Sequence, residues 1–173
     1  YITKFMANIK KSMWESKKDD PVQQISERAW LYLHAFWYEV VENDRLNLMM
    51  KSYDYVIIDG WFYKFLARHF VNVGKKEKYP ISIFEKYKKG DFIYLLDIEP
   101  SICWGRRKEF KLSEMGAHAG MQQESCFESY VGYQNLVRKE YLNMAQENKW
   151  NIIHVDGLSE KEIAQKMVHD LMK

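Results

Sequence analysis

Three short apolar segments, each followed by an aspartate, limit the possible folds of this 173-residue chain more than any other feature. They are Tyr55–Ile58 before Asp59, Phe92–Leu96 before Asp97, and Ile152–Val155 before Asp156. Near-continuous apolar runs of this length are typical of strands buried on both faces, as in parallel sheets. We therefore predict three parallel strands, each ending beside a carboxylate.

The stretch before the first of these segments predicts a long helix that ends near Met50. Asp20-Pro21 is a typical helix start, because aspartate caps a helix and proline fits its first turn. Apolar residues then recur at steps of three and four, which predicts one buried helix face. The members of this predicted face are Ala29, Leu33, Phe36 and Val40.

Two further helices follow from the pattern in the last third of the chain. Apolar residues at helical spacing predict one helix over residues 127–148. Ser159 and Glu162 form a capping-box pattern in front of a terminal helix. Strands separated by helices imply right-handed crossovers, so the predicted fold class is an α/β fold with an open sheet covered on both sides.

Composition favours one soluble domain over residues 1–173. Hydrophobic residues make up 47% of the chain, enough for one sizeable core. The net charge of +2 is too small to indicate a nucleic-acid partner. Apolar runs far shorter than the roughly 20 residues of a membrane span indicate no membrane partner. We expect a cytoplasmic protein in which Cys103 and Cys126 are reduced thiols, because their spacing matches neither a disulfide framework nor a metal site.

Asp59 and Gly60 form the first candidate site. In open α/β sheets, ligands bind beyond the carboxyl ends of the strands, where Asp59 and Asp97 are expected. A carboxylate in this position can hold Mg²⁺ through water, and a following glycine lets the backbone turn sharply beside a phosphate. The alternative is that Asp59 only caps the next helix.

The segment from Pro100 to Phe127 contains the second candidate site. A helix predicted to start at Pro100 becomes basic at its end and leads into a glycine-containing loop. Guanidinium groups beside a loop suit phosphoryl transfer, because a closing lid brings them to the developing negative charge. The alternative is a solvated basic helix end that complements its own dipole.

The order and spacing of these elements resemble the thymidylate kinase family of nucleoside monophosphate kinases. Three stretches carry the resemblance: "DYVIIDGW", "LLDIEPSICWGRRK" and "CFESYVGYQNLVRKEYLNMAQENKWNIIHVDG". The resemblance implies a P-loop kinase fold with three α/β/α layers, a parallel sheet and a lid over about residues 107–125. It also implies ATP and Mg²⁺ as cofactors, a nucleoside monophosphate as substrate, and a possible homodimer formed through the long helix.

Site residues follow from the same resemblance, position by position. Asp59 would help to hold Mg²⁺, while Arg106 and Lys108 would stabilise charge on the transferred group. The acceptor would contact five residues, namely Trp37, Tyr38, Trp61, Arg68 and His69. ATP would contact Arg106 and the turn formed by Asp156, Gly157 and Leu158.

The sequence departs from the family pattern at two places. The phosphate-binding motif G-x-x-x-x-G-K-[ST] is absent from the 173 residues, so we expect its strand, loop and helix to precede Tyr1 in a longer protein. Gly60 stands where the family has a phosphate-contacting arginine, and Arg68 is our candidate replacement. Two other functions therefore remain open: a deoxynucleoside kinase, and a non-catalytic nucleotide-binding or interaction module on the same fold.

Overall fold

The protein is described from a computed structural model, which describes residues 4–14, 25–74, 79–116 and 126–172. Its α-helices are α1 (Lys4–Trp14), α2 (Glu27–Val41), α3 (Asn47–Ser52), α4 (Tyr63–Val73), α5 (Tyr79–Phe84), α6 (Pro100–Arg106), α7 (Phe127–Glu147) and α8 (Glu160–Leu171). Its strands are β1 (Tyr94–Asp97) and β2 (Asn151–His154), and a π-helical turn, Glu42–Leu46, joins α2 to α3.

The described residues form two compact units. The first contains residues 4–14, 25–65 and 79–88, and the second contains residues 66–74, 89–116 and 126–172. Helix α4 therefore begins in the first unit and continues in the second. Among the described residues, no helix is both long enough and apolar enough to cross a membrane.

Helix α2 of the first unit buries a different face from the one predicted. Its buried residues are Leu31, His34, Ala35 and Tyr38, whereas Ala29 and Phe36 are exposed. Nearly every residue of this stretch is apolar or aromatic, so periodicity alone does not select a face. The helix begins after Ser26, whose side chain accepts a hydrogen bond from the Ala29 amide. The predicted start at Asp20-Pro21 lies outside the described residues.

Aromatic rings form the core of the first unit. Phe62 stacks on Phe84 with ring centroids 5.2 Å apart and ring planes 9° apart. The buried Tyr87 donates a hydrogen bond of 2.8 Å to the carbonyl of Ala35 on α2. Desolvation on burial is the main reason why the pKa of Tyr87 rises to about 12, and Glu39 adds to the effect. The hydroxyl therefore stays neutral and keeps its role as a donor.

The predicted strand at residues 55–58 is wrong. This segment has no regular secondary structure and pairs with no described strand, and Ile57 is 95% exposed. The apolar run met the pattern for a strand buried on both faces, but a strand also needs partners for its backbone amides and carbonyls. No such partner for residues 55–58 is present in the described ranges.

The second unit contains the two other predicted strands. Strands β1 and β2 pair in parallel, with Tyr94 opposite Asn151 and Asp97 opposite His154. The hydrogen bond from the Val155 amide to the Asp97 carbonyl, 3.0 Å long, extends the pairing beyond the strand ends. The fold is thus mixed α/β, mostly helical, with a small parallel sheet of two strands. The three-layer P-loop arrangement stays a prediction.

Helices α7 and α8 confirm the predictions for the last third of the chain. Helix α7 spans nearly the predicted residues and buries an apolar and aromatic face that includes Tyr133 and Val137. Helix α8 begins with the predicted capping box, in which Ser159 and Glu162 each bind the backbone amide of the other. These elements were predictable because local capping and packing favour the same structure.

Candidate functional site

A cavity of about 290 Å³ in the first unit brings together four of the predicted site residues. Trp37 and Tyr38 reach it from helix α2, while Asp59 and Trp61 reach it from the segment before α4. The two pairs are more than 20 residues apart in sequence, yet they line one space. Apolar walls with a few polar groups are typical of small-molecule sites.

Hydrogen bonds hold the aromatic walls of this cavity in place. The buried Tyr38 hydroxyl donates to the Trp61 carbonyl over 3.1 Å, and the two rings meet nearly edge to face with centroids 4.8 Å apart. The Trp61 indole N–H donates to the Lys88 carbonyl over 3.0 Å. Trp37 is half-buried and contacts the edge of Trp14, with ring centroids 4.9 Å apart. Trp37 therefore keeps part of its ring available for stacking on a ligand.

Asp59 and Gly60 form a turn at the edge of the cavity. Gly60 has φ of +63°, a left-handed conformation that glycine adopts without strain. Added at Gly60, a Cβ atom would meet no atom within 4 Å, so backbone conformation rather than crowding favours glycine. The Asp59 carboxylate is exposed and has no ion pair or hydrogen bond with any described residue. It is therefore available to a ligand or a cation.

A second cavity of about 250 Å³ adjoins the first and shares five lining residues with it: Val41, Arg45, Ile58, Asp59 and Trp61. Of these, Arg45 was not predicted as a site residue. It follows Tyr38 by seven residues, which is two helical turns, so the same helix face could have suggested it. The π-helical turn around Arg45 has no recognisable sequence signal.

The two other predicted acceptor residues, Arg68 and His69, belong to the second unit and line neither cavity. His69 is only 3% exposed, so it offers little surface to a ligand. Arg68 is half-exposed, and its positive charge helps to lower the pKa of Glu114. Their assignment to the acceptor stays a prediction that the geometry of the described residues does not favour.

The predicted ATP-binding residues of the second unit do lie together. Arg106 ends helix α6, and its Nη2 atom lies 3.5 Å from Oδ1 of Asp156, just after β2. Both side chains are at least half exposed, so the pair is accessible. The turn continues through Gly157, with φ of +71°, and the Leu158 amide donates to the Val155 carbonyl. Exposed backbone and a guanidinium group at a strand end suit the binding of a nucleotide.

The predicted lid is described only over residues 107–116, and residues 117–125 lie outside the described residues. Lys108 is exposed, with no ion pair or hydrogen bond to any described residue. Arg107 instead forms two hydrogen bonds to Glu114, 2.8 and 3.2 Å long. Burial opposes ionisation of Glu114, but the bonds from Arg107 and the Lys111 amide outweigh it, so the pKa of Glu114 is lowered.

Asp97, at the end of β1, is fully engaged by its own protein. Arg138 of α7 donates to both carboxylate oxygens, over 2.6 and 2.9 Å, and His154 Nδ1 lies 2.9 Å from Oδ2. The hydrogen bonds from Arg138 are the main reason why the pKa of Asp97 is lowered, although burial opposes them. This aspartate therefore stabilises the fold, whereas Asp59 is available for binding. No sequence pattern links Arg138 to Asp97, because the two residues are 41 positions apart.

Comparison with known proteins identifies a relative of similar sequence. No protein-family model matches the chain. A probable thymidylate kinase from Sulfurisphaera tokodaii is 28% identical over 122 residues, which are 70% of this chain and 56% of the relative. The matched part thus covers little more than half of that protein. The chain is similar to a protein named as a thymidylate kinase, which supports a distant relationship to nucleotide kinases.

Proposed function

We propose that the chain is a thymidylate kinase-like nucleotide kinase, which transfers the γ-phosphoryl group of ATP to a nucleoside or deoxynucleoside monophosphate. The observation that carries this proposal is the cavity lined by Trp37, Tyr38, Asp59 and Trp61. The resemblance assigns these residues to the acceptor and the metal, and two separate segments bring them together. The similarity to a probable thymidylate kinase supports the same function.

The first unit would bind the acceptor. The half-buried ring of Trp37 offers a stacking surface for a base, which any base can use because every base has a π face. The hydrogen bond that the Tyr38 hydroxyl donates to the Trp61 carbonyl fixes the shape of the cavity. A preformed site of this kind orients the acceptor without the entropy loss of ordering its walls.

The chemistry of Asp59 fits Mg²⁺ that is bound together with a nucleotide. Among the described residues, no group of three or more carboxylate, histidine or cysteine side chains could hold a metal by itself. Mg²⁺ in kinases needs only one or two carboxylates, since water and phosphates complete its coordination. When bound, Mg²⁺ neutralises negative charge on the phosphate oxygens of ATP. Asp59 would hold it through water.

The second unit would bind ATP. Arg106 and the turn of Asp156, Gly157 and Leu158 would contact the nucleotide, and Arg106 with Lys108 would stabilise negative charge on the transferred group. Positioning and electrostatics supply most of the acceleration in phosphoryl transfer, so the roles of these residues are to bind and orient. To contact the nucleotide, the Arg106 side chain would have to leave its present contact with Asp156.

Two sequence features favour the alternatives. Gly60 replaces a phosphate-contacting arginine, which would suit a deoxynucleoside kinase whose acceptor has no phosphate. The 173 residues contain no G-x-x-x-x-G-K-[ST] motif, which would suit a non-catalytic nucleotide-binding module. We also propose a homodimer formed through α2, because Tyr32 and Phe36 on this helix are exposed.

Substrate profiling distinguishes these functions. The full-length gene product is mixed with ATP, Mg²⁺ and each nucleoside monophosphate or deoxynucleoside in turn, and ADP release is followed. Turnover with a monophosphate that Arg106→Ala abolishes supports our proposal, with Lys161→Ala on exposed α8 as the control. Turnover only with a nucleoside supports the second function. Saturable ATP binding without ADP release supports the third.

A further inference from the structure

The geometry points to Arg45 as the residue that binds the phosphate of the acceptor, which makes the acceptor a phosphate monoester rather than a nucleoside. This inference rests on the proposed function and names the cation that Gly60 does not supply. It replaces our sequence-based candidate, Arg68. Three independent features of Arg45 carry it: its position, its free charge and its local backbone.

Arg45 lies where the two cavities of the first unit adjoin. Arg45, Asp59 and Trp61 line both spaces. Each cavity alone, about 250 and 290 Å³, is slightly smaller than the 300 to 1,000 Å³ of ordinary ligand sites. A nucleotide that occupied both would have its base in one cavity and reach the guanidinium group at their common boundary.

The charge of Arg45 is not neutralised by the protein. In the ranges that the structure describes, four of the other five arginines have an ion-pair or cation–π partner, while Arg68 only contributes positive charge near Glu114. Arg28 contacts Tyr32 and Tyr79, Arg68 acts on Glu114, Arg106 contacts Asp156, Arg107 binds Glu114, and Arg138 binds Asp97. Arg45 has no ion pair or hydrogen bond with any described residue. Its exposed guanidinium group keeps all five N–H donors for a ligand.

The backbone around Arg45 is a π-helical turn, which is rare and often occurs at functional sites. The Asn47 amide donates to the Glu42 carbonyl five residues earlier, so this turn carries one more residue than an α-helical turn. Leu46, the last residue of the turn, is buried, and the Asn43 side chain donates a hydrogen bond to the Glu39 carbonyl. The extra residue changes the direction in which Arg45 projects from the helix.

The remaining lining fits a nucleotide better than a simple anion. Asp44 and Asp59 contribute negative charge to the larger cavity, which would repel an anion unless a cation faced its phosphate. Lys10 and Arg45 are the cations that line this cavity, but only Arg45 also lines the smaller cavity and has a fork of N–H donors that matches phosphate oxygens. The apolar surface of Val41 and Trp61 then suits a base or sugar.

Binding of dTMP and thymidine to the full chain tests this inference directly. The variant Arg45→Gln removes the charge, and Lys51→Gln is the control, because Lys51 is exposed on α3 and lines neither cavity. We expect Arg45→Gln to weaken dTMP binding by about 10- to 100-fold, the usual value of hydrogen bonds to a charged group. Thymidine binding should not change, and Lys51→Gln should affect neither ligand. Equal weakening of both ligands by Arg45→Gln, or no weakening, would overturn the inference.

Inorganic phosphate separates this inference from the proposed function. If neither dTMP nor any other nucleotide binds, the kinase proposal fails. An anion site at Arg45 remains testable, because Trp37 and Trp61 line the same cavity and their fluorescence should respond to a bound anion. A saturable response to phosphate that Arg45→Gln abolishes and Lys51→Gln preserves would support the anion site. A response that is absent, or unchanged in Arg45→Gln, would refute it.

Discussion

Replacing Arg138 with methionine should destabilise the protein strongly, because it leaves a buried carboxylate without its main partner. Asp97 is 3% exposed and receives two hydrogen bonds from Arg138. Removing one member of a buried ion pair costs about 3 to 5 kcal/mol. The Arg138 side chain is 27% exposed, so water replaces part of the lost contact and the expected loss is about 3 kcal/mol. For a chain of this size, the melting temperature should fall by about 6 to 12 °C.

The same substitution should change how stability depends on pH. In the parent protein the pKa of Asp97 is lowered. Its contribution to stability is therefore present above its pKa in the unfolded chain, about 4, and is lost as the pH falls toward its pKa in the folded protein. Without Arg138, only His154 still opposes the effect of burial on the Asp97 carboxylate, so the variant is penalised at neutral pH and relieved when Asp97 becomes protonated. The difference between the two proteins should therefore shrink below about pH 4.

Urea unfolding followed by circular dichroism at pH 7 and at pH 3.5 measures both effects. Lys139→Met is the control, since it removes the same charge from the adjacent, exposed position of α7. It should change stability by less than about 0.5 kcal/mol. If Arg138→Met loses no more stability than the control, or if the loss is the same at both pH values, Arg138 does not stabilise a buried, ionised Asp97.

Three smaller perturbations test other parts of the fold. Ser159→Ala should cost about 1 kcal/mol in urea unfolding, because it removes the N-cap of α8. Tyr87→Phe should also cost about 1 kcal/mol through the lost bond to Ala35. The raised pKa of Tyr87 gives the parent protein a contribution to stability that is present below pH 10 and is lost as the pH rises through about 12. Because Tyr87→Phe lacks this contribution, its free energy of unfolding should fall less at alkaline pH. Glu114→Gln should cost no more than about 1 kcal/mol at pH 7, since Arg107 is half exposed, and this cost should shrink at pH 3; an equal cost at both pH values would contradict the lowered pKa of Glu114.

The sequence was sufficient where local signals and packing agree. The capping box at Ser159, the helix over residues 127–147 and the strands before Asp97 and Asp156 each follow from a short pattern, and the structure confirms them. Residues 55–58 show the limit of such patterns. An apolar run predicts that a strand would be buried, but pairing depends on a partner that the run itself does not encode.

The candidate site was only partly predictable for the same reason. Trp37, Tyr38 and Asp59 were identified by resemblance, and the structure places them around one cavity. Arg45 was missed because its significance depends on a π-helical turn and on the absence of a partner among the described residues. Neither property is visible in residue spacing, since both arise from the tertiary structure.

Transfer of labelled phosphate is the decisive test of nucleotide kinase activity. The full-length protein is incubated with ATP labelled at the γ-phosphoryl group, Mg²⁺ and dTMP, and the products are separated. We predict label in dTDP, formed at a rate that falls when Asp59→Asn removes the carboxylate at the cavity edge. Label that appears in no nucleoside diphosphate, with dTMP or with any other nucleoside monophosphate as acceptor, would contradict the account.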